Sequence, residues 1–277
     1  MPKVSIILPT YNGSKWISGA IKSVLTQSFL DWELIIIDDG STDNTADIIN
    51  EFSRKDSRII YSRNEENIGL AKTLNRGLGA ARAEIIARID EDDEWMCVDK
   101  LEVQMDFMQR NPQCVLVGTN IIAVDEAGGE VGRYTFPEGD FEIRSKMLDV
   151  NCFAHSSVAF RRSVAVGVGG YSTTISPLED YDLWLKLGMS GKLANIGRYC
   201  VRYLIRRNSL SRKSKKIEQA LLAIKLVKQY RNAYPHFLKY IILRYFGLFK
   251  YWLLSLMPFR FRVFLTRLKY EIKGWRK

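Results

Sequence analysis

The chain has 277 residues, 47% of them hydrophobic, enough for one large domain with a proper core or for a domain plus an appendage. Its net charge of +10 is uneven: residues 212–277 carry 17 Lys and Arg against 2 Asp and Glu, while residues 1–211 carry 24 against 29. Four scattered cysteines with no Cys-x-x-Cys pair and only two histidines argue against a zinc site, and free thiols fit a reducing compartment.

In chain order, the Met1-Pro2-Lys3-Val4 start runs straight into an apolar strand, Val4–Leu8, that breaks at Pro9. That run is too short for a secretory signal, which gives the expectation of a cytoplasmic protein. Asn12-Gly13-Ser14 is a turn whose Ser14 is placed to cap a helix holding Trp16, Ile17, Ala20, Ile21, Val24 and Leu25 at helical spacing. Leu34–Ile37 is a second buried strand, followed by Asp38-Asp39-Gly40 and a helix through about Phe52. Arg58–Tyr61 is a third strand. Asn67-Ile68-Gly69 opens a helix from Leu70 to Ala81, and Glu84–Ile89 is a fourth strand. Alternating strand and helix predict a parallel sheet covered on both faces.

Further on, Leu101, Met105 and Met108 mark a helix, Val115–Val124 and Val131–Phe136 read as strands, and Asp140–Leu148 as helix. After the short strand Ser157–Arg161, the glycine-rich Val166–Tyr171 reads as a mobile loop. Pro177-Leu178-Glu179-Asp180 leads into a helix, and Leu193–Ile196 and Tyr199–Ile205 read as closing strands. Arg206–Lys216 is basic and polar, a linker. From Ile217 onward, helical patterns dense in Leu, Phe, Tyr and Trp are interrupted by Lys and Arg too often for a spanning helix of about 20 residues. Helices lying in a membrane interface fit that pattern, with cations toward anionic lipid.

The chemistry concentrates where the fourth strand stops. Asp90, Asp92 and Asp93 follow an apolar run within four positions, and a strand interior does not hold bare carboxylates. The acids therefore belong at the carboxyl-end tip, where open α/β sheets bind ligands. Carboxylates this close repel unless a cation neutralises them, and Mg²⁺ or Mn²⁺ takes oxygen ligands and accepts one or two carboxylates when a diphosphate supplies more. A solvated acidic turn is the competing reading of an isolated Asp-x-Asp. Asp38-Asp39 makes a second acidic tip, so the two face one site.

Five segments occur in one order: Val4-Ser5-Ile6-Ile7-Leu8-Pro9-Thr10-Tyr11-Asn12, Ile37-Asp38-Asp39-Gly40-Ser41, Asn67-Ile68-Gly69, Asp90-Glu91-Asp92-Asp93 and Glu179-Asp180-Tyr181-Asp182-Leu183-Trp184. Together they resemble the inverting family 2 glycosyltransferases of the GT-A fold, over roughly residues 3–211. The resemblance implies an α/β fold with a Rossmann-like, mixed, mainly parallel sheet flanked by helices. Residues 1–211 would form the transferase domain and 212–277 a basic, amphipathic, helical, membrane-associating tail. It also implies that Pro9, Thr10, Tyr11, Asp39, Asn67, Asp90 and Glu91 hold the sugar nucleotide. Thr10 and Tyr11 would flank the base, Asp39 accept from its edge, and Asp90 hold the ribose. Asp92, with Asp90, would hold Mn²⁺ or Mg²⁺, and Asp180 would be the general base.

Glu179 and Asp180 are equally explained as acids at a helix N-terminus, so the base assignment rests on the resemblance. Arg76 is a candidate nucleotide contact or a solvated surface cation. His155 is either an acceptor-side residue or a structural one. Relatives often carry a His where this chain has Arg206, which can bind phosphate but cannot ligate a metal. The implied partners are a nucleotide-diphosphate sugar, a glycan or lipid-linked acceptor, and an anionic membrane surface through the tail, with no nucleic acid. The implied place is the inner face of the cell membrane. The alternative is a non-catalytic sugar-nucleotide-binding or assembly protein of the same fold.

Overall fold

The computed structural model describes residues 1–206 and 216–256. Nine strands form one mixed sheet: β1 (Val4–Thr10), β2 (Trp32–Asp38), β3 (Ile59–Arg63), β4 (Ile85–Arg88), β5 (Glu94–Trp95), β6 (Cys114–Val124), β7 (Glu130–Tyr134), β8 (Ala159–Arg161) and β9 (Lys192–Leu204), in the order β3-β2-β1-β4-β8-β6-β9-β5 with β7 on β6. The β3-β2-β1-β4 half is parallel, β8 runs antiparallel to both β4 and β6, and β9 returns parallel to β6.

Continuous apolar runs suit strands buried on both faces, and side chains alternate between those faces along each strand. Ile7, Ile35 and Ile37 face one core, with Leu74 and Leu78 of α3 (Leu70–Ala80), Ile143 of α5 (Asp140–Lys146), and Leu183 and Trp184 of α7 (Glu179–Ser190). Ile6, Leu8, Leu34 and Ile36 face the other, with Ile17 and Ile21 of α1 (Ile17–Leu25), Ile49 of α2 (Thr45–Lys55), and Leu101 and Met108 of α4 (Lys100–Arg110). Truncating one such isoleucine to alanine costs about 2–5 kcal/mol. The short α6 (Arg162–Gly167) links β8 to the glycine turn before α7.

The described residues 216–256 hold two helices, α8 (Lys216–Gln229) and α9 (Phe237–Leu256). Leu226 and Val227 of α8, then Tyr230, Tyr234 and Tyr240, are buried in the α3/α5/α7 core. Three phenols fix this packing, Tyr230 Oη donating to Asp182 Oδ1 at 2.7 Å, and Tyr234 Oη and Tyr240 Oη to the carbonyls of Leu185 and Ser145 at 2.8 Å. Among the described residues no helix is long and apolar enough to cross a membrane. The expected linker at 206–216 and the end of the basic tail fall mainly on residues 207–215 and 257–277, outside the described residues.

Three local expectations differ from the structure. The two closing strands are one strand, β9, because it pairs with β6 through register shifts near Asn120 instead of breaking. Ser14 does not cap α1; its N–H donates to Asp43 Oδ2, and Asp43 Oδ1 accepts from Thr45 at the start of α2. The Val166–Tyr171 stretch is not all loop: it starts as the last residues of α6 and continues as a glycine turn whose end is tied to α3. Gly169 and Gly170 have φ of +89° and +66°, and Asn75 bonds both the N–H and the carbonyl of the buried Tyr171.

Candidate active site

The carboxyl ends of β2, β1 and β4 lie side by side, so the two acidic tips flank the end of β1. Pro9 lacks an N–H, but β4 pairs with β1 only as far as Ile7, so Pro9 lies past that pairing. Beyond it, Thr10 Oγ1 and the Tyr11 N–H both donate to Glu91 Oε2, at 2.5 and 2.9 Å. Glu91 therefore braces the β1 tip to the β4 tip, and a Cβ on Gly13 would collide with its carboxylate. Thr10 is buried with its hydroxyl committed to this brace, while the Tyr11 ring is exposed.

Asp39 is only 4% exposed and organises the β2 tip. Its Oδ1 accepts from Asn64 Nδ2 and the Ile68 N–H, and its Oδ2 from the Gly69 N–H, at 2.7 to 2.9 Å. The Asn67-Ile68-Gly69 segment is thus pinned to Asp39 at the start of α3. Gly69 has φ +90°, and a Cβ on Gly40 would meet the backbone of Glu66 and Asn67. Asn67 itself is exposed. Arg76 reaches Asn64 Oδ1, next to Asp39. Asp38 is structural, its carboxylate taking the Ser41 N–H and the Tyr61 hydroxyl.

At the β4 tip the carboxylates face one another. Arg88, fully buried in a strand, sends Nη2 to Asp90 Oδ1 at 2.5 Å, Nη1 to the Ile89 carbonyl and Nε to His155 Nε2 at 3.2 Å. His155 Nε2 also meets the Tyr171 hydroxyl at 3.1 Å. Accepting at Nε2 puts its proton on Nδ1. Burial, then the charge of Arg88, depress this imidazole to about 3, so it stays neutral. His155 is a structural strut for Arg88.

Burial opposes ionisation of Asp90, but the charge of Arg88 and the hydrogen bonds from Arg88 and the Ser156 hydroxyl more than offset it and hold its carboxyl below the usual range. Asp92 goes the other way: burial and then the charge of Asp90 push it up to about 7, against the pull of Arg206. Arg206 Nε lies 2.5 Å from Asp92 Oδ2, and its Nη1 3.6 Å from Glu91 Oε1. Asp93 is buried and raised well above the ordinary range by burial and by Asp92 and Asp90. It accepts from Ser156 Oγ and from the Leu204 N–H of β9, so it closes the sheet around the site.

Among the described residues no cluster of three or more His, Cys, Asp and Glu side chains makes a self-sufficient metal site. The donor chemistry nonetheless fits a hard divalent cation that completes its shell with diphosphate oxygens and water. Asp90 and Asp92 offer oxygen only, both are partly accessible, and the repulsion between them is what a cation relieves.

Asp180 stands on the first turn of α7. Its Oδ2 accepts from Asn151 Nδ2 at 2.9 Å and its Oδ1 from the Tyr181 N–H at 2.6 Å. Burial, then the neighbouring Glu179, lift its carboxyl to about 7, and Asp90 adds to the rise. Glu179 is buried with Oε2 unpartnered. Trp184 of the same helix packs its ring 5.8 Å from His155 and 6.4 Å from Tyr171, which ties α7 to the Arg88–Asp90 pair.

Sequence reasoning passed over Arg88, Ser156 and Asn151. Arg88 had a signal, since a cation inside an apolar strand must have a buried partner. Ser156 and Asn151 had none.

The family model for glycosyl transferase family 2 matches residues 5–167. The chain is 35% identical over 211 residues to the UDP-Glc:alpha-D-GlcNAc-diphosphoundecaprenol beta-1,3-glucosyltransferase WfgD of Escherichia coli, covering 75% of this chain and 79% of that protein. Among solved structures, S. aureus TarS 1-349 in complex with UDP-GlcNAc superposes with a TM-score of 0.71 at 19% identity, over 88% of this chain and 73% of that one. The mannosyltransferase PcManGT of Pyrobaculum calidifontis, in complex with GDP-Man and Mn²⁺, superposes at 0.68 with 18% identity, over 97% of this chain and 80% of that one.

Proposed function

We propose, from the premise that this chain belongs to glycosyl transferase family 2 and is a glycosyltransferase, that it moves a sugar with inversion from a UDP-linked donor to a hydroxyl of a lipid-linked glycan in surface polysaccharide biosynthesis. Asp180 is the general base. The observation that carries this reading is a carboxylate with its pKa lifted to about 7, held by Asn151 beside the Asp90–Asp92 tip. A base poised near the working pH can both take and release the acceptor's proton.

The bond changes follow. Asp180 accepts the proton of the acceptor hydroxyl as its oxygen bonds to the anomeric carbon. The bond from that carbon to the diphosphate breaks, and its electron pair leaves with the nucleoside diphosphate. A Mn²⁺ or Mg²⁺ ion held by Asp92 and Asp90 would supply positive charge to that leaving group. Tyr11 offers its exposed ring to the base, Pro9 and Thr10 shape that tip, and Asp39 retains a lone pair for the base edge while fixing Asn67 beside it. Asp90 orients the ribose, and Glu91 keeps the β1 and β4 tips at a fixed separation.

The donor and acceptor classes are those in the name of the Escherichia coli relative. The protein would work on the cytoplasmic face of the membrane, held there peripherally by residues of 212–277. A panel of nucleotide sugars with a lipid-diphosphate-linked acceptor, titrated with Mn²⁺ and Mg²⁺, tests the reading. Metal-dependent transfer from a UDP-sugar supports it, and no turnover with any donor overturns it.

A further inference from the structure

Helix α9 presents two unlike faces. Inward, Tyr240 is buried, and Arg244 donates to the carbonyls of Leu148 and Asp149. Outward, Leu238, Ile242, Tyr245, Phe246, Phe249 and Leu253 recur at steps of three and four residues, and all are exposed, Leu238 by 73% and Phe246 by 69%. An apolar stripe is normally the face a helix buries. Here it lies open along a helix of 20 residues, roughly 30 Å long. Exposed apolar area of that extent marks an interaction surface.

Charge selects the occupant. From Phe237 to Leu256 there is no acid, and the cations are Lys239, Arg244 and Lys250, with both lysines exposed. The following residues 257–277 add seven Lys and Arg against one Glu in the sequence. A second copy of this chain would bring the same cations to the same stripe. An anionic bilayer takes the aromatic and aliphatic side chains at its boundary and the lysines at its headgroups.

We propose that the outward stripe of α9 seats on an anionic phospholipid surface and that the seated helix holds the Asp180 side of the protein against that surface. The second half follows from the inward face. Arg244 grips the carbonyls of residues 148 and 149, and two residues further on Asn151 donates to Asp180. An acceptor anchored in the same bilayer is thereby delivered to the base. The first half rests on and deepens the peripheral-membrane reading above, and the second half rests on its lipid-linked acceptor; vesicle binding tests the first without any turnover.

Flotation of the full chain tests the surface, using vesicles of phosphatidylglycerol in phosphatidylcholine against phosphatidylcholine alone. Wild type is expected to float with the anionic vesicles only. Phe246→Glu/Phe249→Glu should lower the bound fraction at least about tenfold. The same variant should keep its thermal melt and its rate of donor hydrolysis in vesicle-free buffer. Leu221→Glu, at an exposed position of α8, should float as wild type does. A double variant that floats like wild type overturns the proposal, as does equal binding to neutral vesicles. So does a wild-type dimer, seen by light scattering, that the double variant converts to monomer. A protein that floats but transfers no sugar sinks the reaction and leaves the surface standing; one that transfers but does not float sinks the surface alone.

Discussion

At the β2 tip, the carboxylate of Asp39 takes three donors from the protein, two of them backbone N–H groups of the loop it fixes. At the β4 tip, Asp90 and Asp92 each lean on one arginine, and Asp92 remains lifted to about 7 by burial and by its neighbour. The two tips use the same residue type at the same edge of the same sheet. One is ringed by donors of the protein and fixes a loop; in the other, burial and mutual repulsion are only partly offset. Net charge does not separate them, but the supply of aligned donors does.

The largest way to sharpen the contrast lies outside both tips. Asp180→Asn should fold normally and lose transfer by about 10²–10⁴-fold, measured as product formed under saturating donor. Asp92→Asn should also abolish most metal-dependent transfer while leaving thermal stability at pH 8 equal to or above wild type, because ionising Asp92 works against the folded state. Asp39→Ala should do the reverse in stability. It strands the Ile68 and Gly69 N–H groups and should cost about 2–4 kcal/mol by denaturant titration. If Asp39→Ala proved neutral and Asp92→Asn destabilising, the comparison would be broken.

The pH dependence carries a defined sign. The folded pKa of Asp180 lies above its unfolded value of 3.8, at about 7. Its contribution to stability is therefore full below pH 3.8 and lost as pH rises through about 7, while the ionised base needed for transfer appears over the same upper range. Transfer should climb with pH through a midpoint near 7. Asp180→Asn should melt higher than wild type at pH 8 and show no such difference near pH 4. The smallest effect expected is at Arg206. Removing its cation with Arg206→Ala should tighten Mn²⁺ binding about two- to tenfold, read by electron paramagnetic resonance.

Much of this was legible in the sequence. The strand tips at Thr10, Asp38 and Arg88–Asp90 fall where apolar runs end, because a strand buried on both faces admits few charges. The order of the five segments carried the family. Glu91 reads in the sequence as a nucleotide-holding acid; that its carboxylate also takes Thr10 and Tyr11, a pairing across some eighty residues, has no local signature. His155 reads in the sequence as acceptor-side or structural; its contact with Arg88, made across the sheet, is one no local pattern announces.

What the chain determined by itself is the set of elements and the residue types at their ends, since hydrophobic period and turn chemistry act over a few residues. What only the tertiary structure decided is which acid is satisfied and which is not. Asp39 and Asp92 read alike in one dimension. Their difference comes from the backbone donors of Ile68 and Gly69, brought to Asp39 from some thirty residues along the chain, and from the burial of Asp92, which makes its neighbour Asp90 felt in a low-dielectric site.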